Sequence, residues 1–316
     1  MILPKFEYKK AKSVAEAVAF YHDHKGRARY LAGGTDLIPL IKLRLSTPTA
    51  VIDLKDIEEL KAVSRNNDGW LTVGANVTLF NLKNNPVVRE YFPALYESLD
   101  ATSCETLQMR GTIGGNILQD TRCLLYNQSL EWRKARGFCY KMGGVACNVV
   151  PNAKACFSNY CSDNAPSLIT LSAQVKLVGP RGERTIELEK IFSGDGRSPF
   201  EVEPGEILTE ILVPLKKTKG AYEKLRVRDS MDYPLAGVAV SAKGAAARAC
   251  VGGIGLAPRL YDLKNINEIT IKEAADRIYA DVKPVSNTVL SAIYRKKMAG
   301  VLLKKAIKRV LQEGWK

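Results

Sequence analysis

The chain has 316 residues and seven cysteines, and its 47 Lys and Arg against 33 Asp and Glu give a formal net charge of +14. That length supports two or three units with hydrophobic cores of their own, so folding needs no disulfide framework, and an odd cysteine count argues against one. The N-terminal "MILPKFEYKKAKS" lacks the apolar core of a signal peptide and no apolar run approaches the ~20 residues of a membrane span, which predicts a cytoplasmic protein without a transmembrane segment.

In chain order, "SVAEAVAFYHDH" predicts a helix opened by a Ser13/Glu16 capping box, and "ARYLAGG" a short strand ending in glycines. A helix fits "DLIPLIKLR", a strand "AVIDL", and a hairpin "KAVSRN" and "WLTVGA" joined at "NDG". Helices are expected over "PVVREYFPALYESLD" and "TSCETLQMR", the second stopping at Gly111. Next comes a stretch, residues 121–157, that holds four of the seven cysteines. A helix at "DNAPSLITLSA" and strands at "QVKLVG", "RTIELE", "EILTEILVP", "YEKLRVR", "LAGVAVSAKG" and "RACVGGIG" follow, and from about Thr270 the pattern is helical. The expected fold class is α+β: a mixed α/β N-terminal part, then an antiparallel sheet with helices.

Much of the positive charge lies in "YRKKMAGVLLKKAIKRVLQ", where Val301, Leu302, Leu303, Ala306, Val310 and Leu311 recur at helical spacing. An amphipathic helix with a solvated lysine face accounts for it better than nucleic-acid contact. No zinc finger, arginine-rich tract or aromatic RNA-binding signature accompanies it, so nucleic acid is not an expected partner.

Two glycine pairs carry chemistry. In "LAGGTDL" a strand ends at Gly33-Gly34, which lets the backbone turn N–H groups toward one point, with the Thr35 hydroxyl beside them. In "GTIGGNI" Gly114-Gly115 lies between Thr112 and Asn116. Together the loops suit the two phosphates of a dinucleotide, although neither matches G-x-G-x-x-G or a Walker loop, and the plain alternative is a pair of turns. The two histidines, His22 and His24, sit at the end of the first helix in no catalytic setting, and no residue is assigned to bond making on a substrate.

The segments "YLAGGTDL", "RGTIGGN", "SDNAPSLITLSAQVKL", "GEILTEILVP" and "YEKLRVRDSMDYPLAGVAV" resemble, in order and register, the FAD-binding medium subunits of the molybdenum hydroxylase family, to which xanthine dehydrogenase and carbon monoxide dehydrogenase belong. The resemblance implies a PCMH-type FAD-binding domain over 1–216, in subdomains 1–55 and 56–216, and a C-terminal domain over 217–316. It implies that Leu31, Ala32, Gly33, Gly34, Thr35, Asp36, Leu37 and Ile38 form one flavin pyrophosphate loop and Thr112, Ile113, Gly114, Gly115 and Asn116 the other. By the same resemblance Asp163 contacts the nucleotide, Leu208 packs on the flavin and Lys224 lies near the isoalloxazine. The ordinary alternatives are a helix N-cap, a core leucine and a solvated strand lysine.

The chain departs from the common pattern between Asn116 and Asp163, where an insertion at about 119–160 holds the clustered cysteines. It is similar here to the branch containing the beta subunit of 4-hydroxybenzoyl-CoA reductase, whose extra loop carries a [4Fe–4S] cluster. Cys123, Cys139, Cys147 and Cys156 would supply the four thiolates. Their C-x15-C-x7-C-x8-C spacing has no C-x2-C, so spacing alone leaves structural zinc open, and Cys161 could stand in for Cys156. Cys104 and Cys250 are expected to be buried small residues.

The implied partners are a large molybdenum-cofactor subunit and a small subunit with two [2Fe–2S] centres, in a dimer of heterotrimers, with ferredoxin as electron donor. Arg122, Arg133, Lys134, Arg136, Lys141 and Lys154 outnumber Asp120 and Glu131 in the insertion, which suits a docking face for an acidic ferredoxin or simply offsets a thiolate cluster. The implied activity is electron transfer for reductive dehydroxylation of 4-hydroxybenzoyl-CoA. An oxidising hydroxylase with an extra cluster, and a basic nucleic-acid-binding protein with a zinc-stapled loop, are the alternatives.

Overall fold

A computed structural model describes residues 3–312. The first unit holds β1 (Glu7–Lys10), α1 (Val14–Asp23), β2 (Ala28–Leu31), α2 (Leu37–Lys42) and β3 (Ala50–Asp53). Its strands run parallel in the order β1-β3-β2. Parallel neighbours need crossovers, which the two helices supply. Small residues, Ala11, Ala17, Ala28 and Ala50, let α1 settle close to the sheet over Ile52. The Ser13 hydroxyl accepts from Glu16 N as expected, but the Glu16 carboxylate accepts from Lys12 N at 2.7 Å, so the expected capping box is displaced by one residue.

The second unit is a five-stranded antiparallel sheet in the order β4-β5-β8-β6-β7, made of β4 (Val63–Arg65), β5 (Trp70–Gly74), β6 (Gln174–Gly179), β7 (Gly182–Glu187) and β8 (Ile207–Pro214). Leu71, Val73, Val175, Leu177, Ile211 and Val213 form its inner face. Against that face pack α3 (Leu79–Lys83), α4 (Pro86–Tyr91), α5 (Pro93–Asp100) and α7 (Ile113–Ile117), with the short α6 (Glu105–Gln108) beside α3. The single helix expected over "PVVREYFPALYESLD" is two, because Phe92, held at φ −132° and ψ 64°, is non-helical; a proline at the next position disfavours the α conformation. The insertion carries α8 (Leu130–Arg136) and little other regular structure, and α9 (Asn164–Thr170) leads out of it, buried along its whole length.

The third unit is the antiparallel sheet β12-β11-β10-β9, from β9 (Lys219–Leu225), β10 (Ala236–Lys243), β11 (Ala246–Gly252) and β12 (Arg259–Lys264), backed by α10 (Glu268–Asp281) and α11 (Ala292–Gln312). Val238, Val240 and Val251 meet Leu303, Ala306, Ile307 and Val310 of α11 in a core of their own. Arg309 ties α11 to the second unit, donating to both Glu97 and the buried Glu223. Among the described residues no helix is long and apolar enough to cross a membrane.

Candidate functional site

A cavity of about 600 Å³ lies where the first and second units meet, a size typical of cofactor sites. The β2–α2 loop, the Thr112 N-cap and first turn of α7 where a second loop was expected, the start of β8 and part of the insertion form its wall. Ala32, Gly33, Gly34, Thr35, Asp36 and Leu37 from the first predicted loop line it, with Thr112, Gly114 and Gly115 from the second and Leu208 from β8. Leu31, Ile38, Ile113 and Asn116 do not reach the wall.

The two loops serve the cavity differently. Among the described residues, none accepts a hydrogen bond from the backbone N–H of Gly33, Gly34, Thr35 or Asp36. Consecutive free donors of this kind make a concavity for an anionic oxygen. In the second loop the donors are already engaged: Gly114 N bonds to Ala75 O at 2.9 Å, Gly115 N to Thr112 Oγ1 at 3.2 Å and Asn116 N to Thr112 O at 2.9 Å. Asn116 Oδ1 turns away to accept from Ser162 at 2.6 Å and Asn164 at 3.0 Å.

The glycines also have reasons beyond room for a ligand. A Cβ at Gly33 would collide with the Arg110 carbonyl, so this glycine lets the two loops touch; Gly34 holds φ +78°, a conformation that suits glycine. A Cβ at Gly114 would lie 2.7 Å from that of Ala75. Gly33→Ala should therefore force the loops apart, lowering stability by about 2 kcal/mol and releasing bound cofactor, whereas Gly34→Ala should cost only about 1 kcal/mol. Thermal unfolding and cofactor content of the two variants check this ranking.

Asp163 and Lys224 stand away from the cavity wall. They form a buried ion pair at 3.0 Å, each side chain 5% exposed. Tyr222 OH donates to the other Asp163 oxygen at 2.7 Å and Lys224 also donates to Ala101 O at 3.0 Å. Burial pushes the Asp163 carboxyl up, and Lys224 and Tyr222 pull it back. Asp163 occupies the N-cap position of α9 without making a capping bond. The sequence did not mark Arg29, Tyr126 and Arg197 as wall residues, and Lys141 drew attention only as one of several charges.

The insertion is closed at its neck, where Arg122 N donates to Asn159 O and Asn159 N to Arg122 O, both at 2.7 Å. Arg133 is buried and donates to Gln128 O at 3.2 Å and to Leu43 O and Arg44 O at 3.0 Å, fastening α8 to the end of α2. Asn287 of the third unit clasps the other side, accepting from Asn159 Nδ2 and donating to Phe157 O, both at 2.7 Å. Arg133 and the nearly buried Lys141 are thus internal anchors and leave the expected docking face; Lys134, Arg136 and Lys154 remain exposed. Arg122 stacks 3.9 Å from the centre of the Tyr233 ring, whose hydroxyl donates to Asp36 at 3.3 Å.

All seven cysteines are free. Burial pushes the Cys123 and Cys139 thiols up. Among the described residues, however, no group of three or more His, Cys, Asp or Glu side chains is placed to hold a metal ion, so the thiols as they stand do not meet the expectation of a four-cysteine site. Burial pushes the Cys161 thiol up to about 12 against the pull of Arg122 and Arg295, with a smaller push from Asp163. Cys250 is buried as expected, but Cys104 is half-exposed at the start of α6, its sulfur 3.4 Å from the Thr106 hydroxyl.

Residues 4–216 match the family described as FAD binding domain in molybdopterin dehydrogenase. The chain is 29% identical over 311 residues to the aldehyde oxidoreductase FAD-binding subunit PaoB of Escherichia coli (strain K12), covering 94% of this chain and 97% of that protein. It is 29% identical over 323 residues to the carbon monoxide dehydrogenase medium chain of Hydrogenophaga pseudoflava, covering 97% of each. In three dimensions it resembles a chain of the crystal structure of the Cu,Mo-CO dehydrogenase in its cyanide-inactivated form, with TM-score 0.80, 27% identity and coverage of 99% of this chain and 100% of that one.

Proposed function

The chain belongs to the FAD-binding medium subunits of the molybdenum hydroxylase family, and from that premise we propose that the cavity between its first two units is the FAD site. Its fold is the PCMH-type FAD-binding fold of the carbon monoxide dehydrogenase medium chain. The observation that carries the proposal is the run of free N–H donors from Gly33 to Asp36 on the cavity wall, which suits a pyrophosphate. Leu208 and Phe200 supply apolar surface for a ring, Gly33 lets the first loop close on Arg110 and Gly111, and Gly114 lets the second segment pack on Ala75. When bound, FAD supplies a carrier that takes up and passes on electrons, while the protein orients it and keeps water from it. The units fall into the proposed domains 1–216 and 217–316.

The finer reading follows the insertion. We propose that this is the FAD subunit of a 4-hydroxybenzoyl-CoA reductase-like enzyme, working with a molybdenum-cofactor subunit, a [2Fe–2S] subunit and a ferredoxin donor. In that reaction the ring exchanges hydroxyl for hydrogen, taking up electrons and protons and releasing water. Cys123, Cys139, Cys147 and Cys156 are the proposed ligands of a [4Fe–4S] cluster. Their occurrence together in one insertion supports this. Because, among the described residues, no three of these thiols are grouped so as to hold a metal ion, no electron step is assigned to that cluster. The names of the relatives, an aldehyde oxidoreductase and a carbon monoxide dehydrogenase, favour a second reading as part of an oxidising hydroxylase.

The complex isolated with its partners should release FAD on acid precipitation, one per chain; flavin-free protein would refute the site. Serine at any of the four insertion cysteines should remove about four iron atoms per chain and spare FAD, while Cys250→Ser should remove none. Loss of iron with Cys161→Ser but not Cys156→Ser would move the fourth ligand. Consumption of 4-hydroxybenzoyl-CoA with a low-potential reductant, against oxidation of aldehydes with a dye acceptor, separates the two readings.

A further inference from the structure

Two cations on the cavity wall lead by hydrogen bonds to the same cysteine of the insertion. Lys141 follows Cys139 on the short turn Tyr140–Met142, and its side chain is only 5% exposed. Its ammonium donates to Asp120 Oδ1 at 2.6 Å, Thr121 O at 3.2 Å and Thr121 Oγ1 at 2.5 Å, and it lies 5.0 Å from the centre of the Tyr126 ring. The Thr121 hydroxyl donates to Gly196 O at 3.2 Å and lies 2.6 Å from Ser158 Oγ, which lies 3.2 Å from Cys156 Sγ. An ammonium can only donate, so Thr121 Oγ1 accepts from Lys141; the hydroxyls of Thr121 and Ser158 then link it to Cys156, whose sulfur accepts from Ser158 when it is a thiolate.

The second route starts at Arg197 on the same wall. Its guanidinium pairs with Asp195 at 2.7 Å, Asp195 Oδ1 accepts from Cys156 N at 3.3 Å, and Gly196 N donates to Cys156 O at 3.0 Å. A Cβ on Gly196 would collide with Ser158 Oγ, so this segment lies tightly against the cysteine. The insertion itself has little regular structure beyond α8 and exposes Trp132, Phe138 and Val145, so its order depends on what it is fastened to.

We propose that Arg197 contacts the cofactor, that Lys141, whose ammonium is held by Asp120 and Thr121, positions the wall beside it, and that, through their links to Cys156, an anionic dinucleotide in the cavity orders the cysteine-bearing insertion. This rests on the FAD reading of the cavity. Coupling of this kind is reciprocal, so an ordered insertion tightens cofactor binding by the factor by which the cofactor protects the insertion.

The test uses the isolated complex stripped of flavin, with FAD added back. Its readouts are the FAD dissociation constant from flavin fluorescence and the rate of tryptic cleavage after Lys134, Arg136 or Lys154, with cleavage elsewhere in the chain as a control for the fold. In the wild type, FAD should slow cleavage in the insertion about tenfold. Lys141→Met and Arg197→Met should each weaken FAD binding about tenfold and lose the protection, and Lys141→Arg, which keeps the charge, should restore both. Thr121→Val breaks the first route at a residue that does not itself line the cavity; it should lose protection and weaken FAD binding by that same factor. Tight FAD binding with unchanged cleavage in the wild type, or full protection in Lys141→Met, overturns this inference alone. Absence of FAD binding to the wild type overturns the flavin reading with it.

Discussion

Arg295→Met should lower the stability of the protein by about 3–5 kcal/mol, among the largest effects expected of any single substitution in this chain. Arg295 is fully buried at the start of α11 and is held by backbone carbonyls, with Nε donating to Leu235 O at 2.8 Å, Nη2 to Gly253 O at 2.7 Å and Nη1 to Val285 O at 3.2 Å. Those carbonyls lie just before β10, just after β11 and in the segment before α11, so one planar fork closes an otherwise open corner of the third unit. Methionine fills similar space but leaves the carbonyls without donors, each costing about 1–3 kcal/mol. Arg295→Lys should recover only part, because one ammonium cannot reach in three fixed directions. Urea unfolding measures both, and a loss below about 1 kcal/mol for the methionine variant would show that water replaces the fork.

The second large effect belongs to the pair Asp163 and Lys224. Either Asp163→Asn or Lys224→Met alone should destabilise by about 3–5 kcal/mol, because each strands a charge that has been taken out of water. Made together they should recover much of that loss, and the double-mutant cycle gives the coupling. Flavin content of the double variant decides what the pair does. Retention would make it a brace between α9 and β9, and loss from a folded protein would place it in the cofactor site.

The parts of the fold that were legible in the sequence are those written in local pattern. Apolar alternation marks β5, β8 and β10, and helical spacing marks α11. The glycine pairs announced the two loops of the cavity, although the reason for Gly33 lies at Arg110, far along the chain, and no local pattern shows it. β1 and β12 were missed because each is an edge strand with mostly solvent-facing side chains and so carries no clean alternation. Arg133 reads as a surface charge in a basic run, and only the carbonyls of Leu43 and Arg44 turn it inward. Asp163 and Lys224 were each legible as noteworthy, but their bond to one another depends on packing between distant segments.

The neck at Arg122 and Asn159 bears on how such a chain came about. A segment whose two ends lie side by side can be spliced into or out of a surface turn without shifting the strands and helices on either side. A change of length between those two ends therefore need not shift the register of the neighbouring strands and helices. The outer anchors, Arg133 toward the first unit and Asn287 toward the third, then set the segment's orientation, so that changes there tilt it without touching the neck.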